Sequence, residues 1–488
     1  MTAIPATSVI VWFRDDLRLS DHPALHAAAQ SGAPVICLYV LDEESTSMSP
    51  PKGRPLGSAS RWWLAHSLRS LQASLHAHGQ PLILRKGPAA KIIPDVVREA
   101  GAAAVHWIES DVASQGAVER EVATALEGIG VTARSFSSDL LVKPESLRNK
   151  EGRGLRVFTP FWKRVLSLGD PPQPLPAPKK LNAGPNVTSD DLTSWHLEPT
   201  RPDWAAGLRD TWTPGEASAQ ARLKDFLDHD VAGYATSRDR PDRDGTSRLS
   251  PHLRFGEISP RQIWHASNFA AAQKPAIASD VGKFLSELGW REFSRHLLFD
   301  LPQLAEQNLQ PSFDAFPWKH DAKALRAWQR GQTGYPIVDA GMRQLWRTGI
   351  MHNRVRMVVA SFLVKHLLLD WRDGEKWFWD TLVDADPGSN PASWQWVAGS
   401  GADAAPYFRI FNPILQGEKF DPDGTYVSRW VPELAQLPKK MIHQPWEATP
   451  MELAAAGIKL GETYPEPIVD HKAARVRALA AYAKTRTA

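Results

Sequence analysis

The sequence predicts an α/β N-terminal domain followed by a large all-helical C-terminal domain. Three observations carry that expectation. Apolar runs of strand length alternate with helical patterns over residues 7–136, a proline-rich passage of little periodicity follows, and the patterns beyond Pro214 are almost purely helical. The expected division is an α/β domain over 1–140, a long connector over 141–214 and a helical domain over 215–488.

The strand candidates are Ser8–Phe13, Pro34–Val40, Pro81–Arg85, Ala104–Ile108 and Val131–Phe136, with helical stretches near 21–31, 58–79, 89–101 and 114–128 between them. Strands and helices in strict alternation imply a mostly parallel sheet covered by helices. No glycine-rich turn follows the first strand, which runs into Arg14-Asp15-Asp16-Leu17-Arg18. A phosphate cradle is therefore not expected there, and a ligand of this domain would use loops at the strands' carboxyl ends, such as Leu41–Glu44 and Glu109–Asp111. Gly169–Pro202 holds eight prolines in 34 residues, which reads as a connector laid over a surface. The helical candidates that follow are 216–229, 259–272, 279–299, 321–330, 337–348, 352–371, 373–383 and 391–398.

Composition bounds the chemistry. The 488 residues carry a net charge of only +3 with 43% hydrophobic residues, so a disordered chain or a uniformly basic DNA-coating protein is excluded, and any nucleic-acid site must be a local patch. The single cysteine, Cys37, lies in the apolar run Val35–Val40 and excludes a disulfide framework or a multi-cysteine metal site. The apolar run before Arg14 is too short for a signal peptide and no stretch is long enough to span a bilayer, so a cytoplasmic location with no membrane partner is expected. Twenty tryptophans, most of them after residue 260, are the anomaly. Packing absorbs tryptophan, but so do stacking on planar ligands and one-electron traffic between rings.

Four motifs carry candidate chemistry. The turn Thr246-Ser247-Arg248-Leu249-Ser250 clusters donors suited to a diphosphate, or simply caps a helix. Glu287, Trp290 and Arg291 share one helical face, which makes either an exposed Glu–Arg pair or a wall that stacks on a flat substrate. His352-Asn353-Arg354-Val355-Arg356-Met357 opens a helix, with Asn353 and Met357 one turn apart and Arg354 turned aside; an asparagine N-cap with solvated arginines is the bland version. Asp384-Ala385-Asp386-Pro387-Gly388-Ser389-Asn390 is a polar loop entering Trp394-Gln395-Trp396, and Pro387 with the missing terminal glutamate breaks any calcium-loop pattern, so no metal is expected. Gly399–Ala404 mimics a dinucleotide fingerprint but follows a helix, not a strand.

Together these segments resemble the photolyase/cryptochrome family over essentially the whole chain. The opening VWFRDDLRLSDHPAL, then TSRLSPHLRFGEISPRQIW, WREF, TGYPIVDAGMRQLWRTGIMHNRVRM, DWRDGEKWF and SWQWVAGSGADAAPYFRIFNPILQGEKFD follow that family's order. Within it the chain is similar to bacterial cyclobutane pyrimidine dimer photolyases of the class III branch. The resemblance implies a Rossmann-like antenna domain, a connector and a helical domain holding FAD, with the reduced anionic flavin as the active form. It implies that Tyr234, Thr246, Ser247, Arg248, Leu249 and Ser250 hold the FAD phosphates and ribityl chain, with Arg291 also on the cofactor. Arg356 and Asp384 would pair beside the flavin ring, Asp386 would accept from it and Asn390 would face its N5.

Glu287 and Asn353 would be the catalytic residues on the carbonyl edge of the flipped dimer, with Met357 beneath and Trp290 and Trp396 as walls. Arg238, Arg354 and Arg409 would contact phosphates around the lesion. The (6-4) branch carries histidines where this chain has Asn353 and Met357, and plant and animal cryptochromes carry aspartate or cysteine in place of Asn390, so dimer repair is favoured. Trp394, Trp371 and Trp318 match the family's electron relay, with Trp346 and Tyr407 as a candidate side branch. The implied antenna is 5,10-methenyltetrahydrofolate, with a deazaflavin as the alternative and no residues assigned to it. The partner would be UV-damaged DNA, bound by a monomer with no obligate protein partner. A photoreceptor without repair and a dark flavin oxidoreductase are the competing classes; the first usually carries a long tail, here about 13 residues, and the second lacks a nicotinamide fingerprint.

Overall fold

The computed structural model describes residues 7–45, 53–137, 140–403 and 408–485. They form two compact units. The first comprises 1–205, 212–232 and 247–303, and the second 206–211, 233–246 and 304–488. The chain thus leaves the first unit after 205 and returns to it at 212 and again at 247.

The first unit is built on a sheet of order β3-β2-β1-β4-β5, in which β1 is Ser8–Phe13, β2 Pro34–Leu41, β3 Leu82–Lys86, β4 Ala102–Ile108 and β5 Thr132–Phe136. Every ladder is parallel, as the alternation of elements requires. All six residues of β1 are buried, because helices cover both faces. One covering helix, α1 (Ala89–Ala100), places Ile93, Val96, Val97 and Ala100 at three- and four-residue spacing against the sheet and ends on left-handed Gly101. A sixth strand, Asn182–Ala183, pairs with β2 from inside the proline-rich passage. That passage is preceded by a further helix, α2 (Phe158–Leu166), whose Phe161 and Val165 are buried. Neither is visible as a periodic pattern in the sequence. A two-residue strand has no period to read, and α2 shows only a short amphipathic turn.

Two elements carry candidate site residues in this unit. The segment 247–250 leads into a short helix, Ser250–Arg254, and places Arg248 at φ 51°, a left-handed conformation uncommon outside glycine. The long helix α3 (Ala278–Asp300) buries Val281, Phe284, Leu285, Leu288 and Glu292 along one face and so sets the direction of the others.

The core of the second unit is helical, with Trp328, Val338, Val359, Phe362, Val364, Trp371 and Trp394 at its centre. Helix α4 (Asn353–Ser361) continues into a π-helical turn, Phe362–His366, and the chain breaks before α5 (Trp371–Thr381), where one helix over 352–371 is expected from the sequence. The π turn supplies the break, because the apolar pattern runs on through it unchanged. Helix α6 (Ser389–Ala398) follows, and α7 (Pro413–Phe420) and α8 (His471–Thr485) lie beyond the last helix read from the sequence.

Candidate active site

In the first unit, Glu287 is paired with Lys283 at 3.0 Å, one helical turn earlier. Arg291 meets its neighbour Glu292 at 3.2 Å. Glu292 is fully buried and also accepts from the backbone amide of Leu141 at 2.7 Å; burial pushes its carboxyl up to about 7 against the pull of Arg291. Trp290 is half-buried, and Phe158 from α2 stacks on one of its faces with ring centres 3.8 Å apart and planes 7° apart. Trp162 packs against the helix at Gly289, where a Cβ would fall 2.5 Å from the ring. Phe158 and Trp162 were not singled out by sequence reasoning; the aromatic cluster Phe158, Phe161, Trp162 was the available signal. The 246–250 turn divides between the units after Thr246, and Leu249 is buried, so only its backbone can reach a ligand.

In the second unit the loop 384–390 and the start of α4 converge. Arg356 donates from Nη2 to Asp384 at 2.9 Å and from Nε to the Met351 carbonyl at 2.7 Å, which fixes the guanidinium at both ends. Asp386 Oδ1 accepts from the amides of Gly388 and Ser389 at 2.8 and 2.7 Å, so this carboxylate organises the entry to α6. Asn390 is buried, and its Nδ2 donates to the Glu375 carboxylate at 2.7 Å and to the Glu375 carbonyl at 3.2 Å. A carboxylate can only accept, so Glu375 orients the amide and leaves Oδ1 as the acceptor it offers elsewhere. Glu375, which holds the candidate residue Asn390, is a residue that sequence reasoning missed.

His352 caps α4, accepting from the Arg354 amide at 3.2 Å, and Asn353, free of that duty, is exposed. Met357 is half-buried one turn on. Arg354 pairs with Asp239 at 2.8 Å and lies over the Phe420 ring at 4.4 Å. Arg238 lies over the ring of buried Tyr234 at 6.0 Å. Beside α4 opens a cleft of about 590 Å³, lined by Arg240, Arg354, Arg409 and Lys419 with Asp239 as the one carboxylate among its lining residues. Trp396 is half-buried, donates to the Asp403 carbonyl at 3.0 Å and carries Arg409 6.0 Å from its ring centre.

The three tryptophans expected to form a relay belong to one hydrophobic cluster. Trp394 is buried, and its ring sits where a Cβ on Gly374 of α5 would fall 2.2 Å away, three residues along from Trp371. Trp371 is fully buried and donates to Asn308 at 2.9 Å. The segment bearing Trp318 is tied alongside by Lys319, whose amide donates to the Leu368 carbonyl at 2.7 Å. Trp328 and Phe378 also touch Trp394, at 6.1 and 5.0 Å between ring centres. Trp346 stacks on Trp377 at 5.9 Å, while Tyr407 lies outside the described residues.

A family model described as DNA photolyase matches residues 9–179, and one described as the FAD binding domain of DNA photolyase matches residues 284–484. The chain belongs to the DNA photolyase family. It is 53% identical to a deoxyribodipyrimidine photo-lyase of Agrobacterium fabrum, over 99% of this chain and 98% of that one. It is 40% identical to cryptochrome-1 of Arabidopsis thaliana over 96% of this chain but only 69% of that one. Among solved structures, a bacterial class III photolyase from Agrobacterium tumefaciens superposes with a TM-score of 0.95 at 52% identity, covering 100% of this chain and 99% of that one. The matched FAD-binding region takes in most of α3 and all of α4, α5 and α6, and the Arg356–Asp384 pair and the oriented Asn390 amide within it are groups suited to a flavin ring edge. Among the described residues no cluster of three or more metal-ligating side chains occurs and no helix is long and apolar enough to cross a membrane.

Proposed function

We propose that this chain repairs cyclobutane pyrimidine dimers in DNA in a light-driven reaction that uses reduced FAD. The observation that carries the reading is the cationic cleft beside α4, a surface suited to phosphates that includes Arg354, the neighbour of exposed Asn353, with half-buried Met357 one turn further on. When bound, reduced FAD supplies the excited electron that splits the dimer, and the protein supplies binding, orientation and electrostatics.

Tyr234, Thr246, Ser247, Arg248, Leu249, Ser250 and Arg291 would hold the cofactor's phosphates and ribityl chain. Arg356 held against Asp384 would present a fixed positive edge to the ring, Asp386 would accept from it, and Asn390 Oδ1 would accept from N5 without adding charge. Arg238, Arg354 and Arg409 would grip the phosphates around the lesion, and extrusion of the damaged step costs a few kcal/mol, about the least of any step because it is already poorly stacked. Trp290, stiffened by Phe158, and Trp396 would stand as walls. Asn353 would donate to one pyrimidine carbonyl, and Glu287 would serve the other through a neighbouring donor or as the protonated acid, since a carboxylate alone can only accept. Trp394, Trp371 and Trp318 would return an oxidised cofactor to its working state under light. The finer readings are a 5,10-methenyltetrahydrofolate antenna on the 1–140 α/β domain, a connector over 141–214, a catalytic domain over 215–488, a monomer and a cytoplasmic location.

The test is repair of a thymine-dimer duplex by the photoreduced holoenzyme, with and without blue light. Light-dependent loss of dimers, abolished by Glu287→Ala with Asn353→Ala, supports the lyase. Clean photoreduction without repair moves the chain to the photoreceptor class.

A further inference from the structure

The π-helical turn after α4 buries Lys365, which is 2% exposed. A lysine is almost never fully buried unless paired, yet no carboxylate pairs with this one among the described residues, and burial alone pushes its ammonium down to about 7. The fold accepts that cost for two contacts. Nζ donates to the main-chain carbonyl of Arg409 at 3.1 Å and sits 3.4 Å from the centre of the Phe408 ring. Phe408 is itself held, stacked on Tyr482 of α8 with ring centres 4.4 Å apart and planes 5° apart. A cavity of about 30 Å³ lies between Lys365, Trp396, Arg409 and Tyr482, enough for about one water at the remaining ammonium protons. One turn earlier in the same helical run, Ser361 accepts from the Phe411 amide at 3.3 Å.

Two polar groups of one helix therefore pin the backbone of 409–411, a short segment with little regular structure of its own. The side chain that leaves this segment is Arg409, which lines the cationic cleft and lies over Trp396. A buried charge spent on main chain makes sense where the position of that main chain matters.

We propose that Lys365 is a positioning residue for lesion binding, fixing the backbone of Arg409 so that its guanidinium meets a DNA phosphate and backs the Trp396 wall. The proposal rests on the repair reading above. It gives Lys365 no contact with DNA or flavin and no part in bond breaking.

A double-mutant cycle tests it. Lys365→Met and Arg409→Gln, alone and together, are compared with wild-type holoenzyme for affinity to a duplex bearing one thymine dimer over 50–200 mM salt. Repair yield per photon is measured at saturating duplex. Each single change is expected to weaken binding about tenfold and to flatten the plot of log K against log salt by about 0.9, the loss of one phosphate contact. The double variant is expected to stay near tenfold, and the repair yield of Lys365→Met alone at saturating duplex to remain that of wild type. A hundredfold loss in the double variant, or Lys365→Met binding as tightly as wild type, overturns the proposal. Should Lys365→Met not fold, Phe408→Leu removes the ring under the ammonium and must flatten the same slope; an unchanged slope overturns the idea equally. A wild-type protein that neither binds nor repairs the duplex sinks the repair reading instead, whereas wild-type repair with additive losses sinks only the role of Lys365.

Discussion

Removing cations from the cleft beside α4 gives a quantitative test of DNA binding. The cleft is lined by four cations and one carboxylate, on a chain whose net charge is only +3. Arg240 is clamped by Asp242 through Nε at 2.8 Å and Nη2 at 2.5 Å, so the working contacts are Arg354, Arg409 and Lys419. Each phosphate neutralised on a duplex contributes about 0.9 to the slope of log K against log salt, or about 3.5-fold in affinity between 50 and 200 mM salt. Three contacts give a slope near 2.7 from this cleft and about a 40-fold loss over that range. Lys419→Gln should lower the slope by about 0.9 and little else. Arg354→Gln should lower it by a similar amount but cost more affinity at every salt concentration, because it leaves the Asp239 carboxylate facing the phosphates. Fluorescence anisotropy of a labelled dimer duplex titrated at four salt concentrations reads both. Slopes unchanged in both variants would refute the placement of DNA over this cleft.

Further outcomes follow from single contacts. Glu375→Ala should free the Asn390 amide, with the loss of a charge-assisted hydrogen bond worth about 1.5–3 kcal/mol; the absorption spectrum of the half-reduced flavin should shift, and an unchanged spectrum would show that Asn390 is held by something else. Gly374→Ala forces a methyl group into the Trp394 ring, an overpacking cost of about 1–3 kcal/mol; light-driven flavin reduction should slow while repair by chemically reduced enzyme persists, and equal loss of both would count against a relay role. His366 is fully buried and held near 3 by burial and by the stacked His471, below its ordinary 6.5. Its stability contribution is complete above pH 6.5 and is lost as pH falls toward 3, about 2 kcal/mol by pH 5. Urea midpoints measured from pH 7 to 5 should therefore fall less steeply in His366→Gln, and identical slopes would contradict the assignment.

Much of the fold was legible because the parallel sheet is buried on both faces, so β1 and β2 read as unbroken apolar runs. The π turn at 362–366 was not, since Phe362, Leu363 and Val364 keep an apolar sequence through a change of hydrogen bonding. Asn353, Asn390, Asp384 and Trp396 were legible as motif positions. Glu375, Phe158 and Lys365 were not, because their significance lies in a partner distant in sequence: Asn390 for the first, Trp290 for the second, Arg409 for the third. A buried charge or a stacked ring carries no periodic signal of its own.

The division of the chain into two interleaved units bears on its biosynthesis. The first unit draws on residues as late as 303, including α3 and the short helix Ser250–Arg254, whose Arg254 pairs with Asp15 at 2.8 Å. Growing vectorially from the ribosome at about 5–20 residues per second, the nascent sheet must wait on the order of ten seconds for those closing pieces. During that interval the loop after β1 stands exposed, without Arg254, Phe255 and Gly256, which bind it at Asp15, Leu17 and Arg18, and chaperone capture or misassembly has its opening there. A chain cut at the connector would make that exposure permanent: the N-terminal piece would lack its closing helices, and Trp290 would lose the ring of Phe158 that stiffens it.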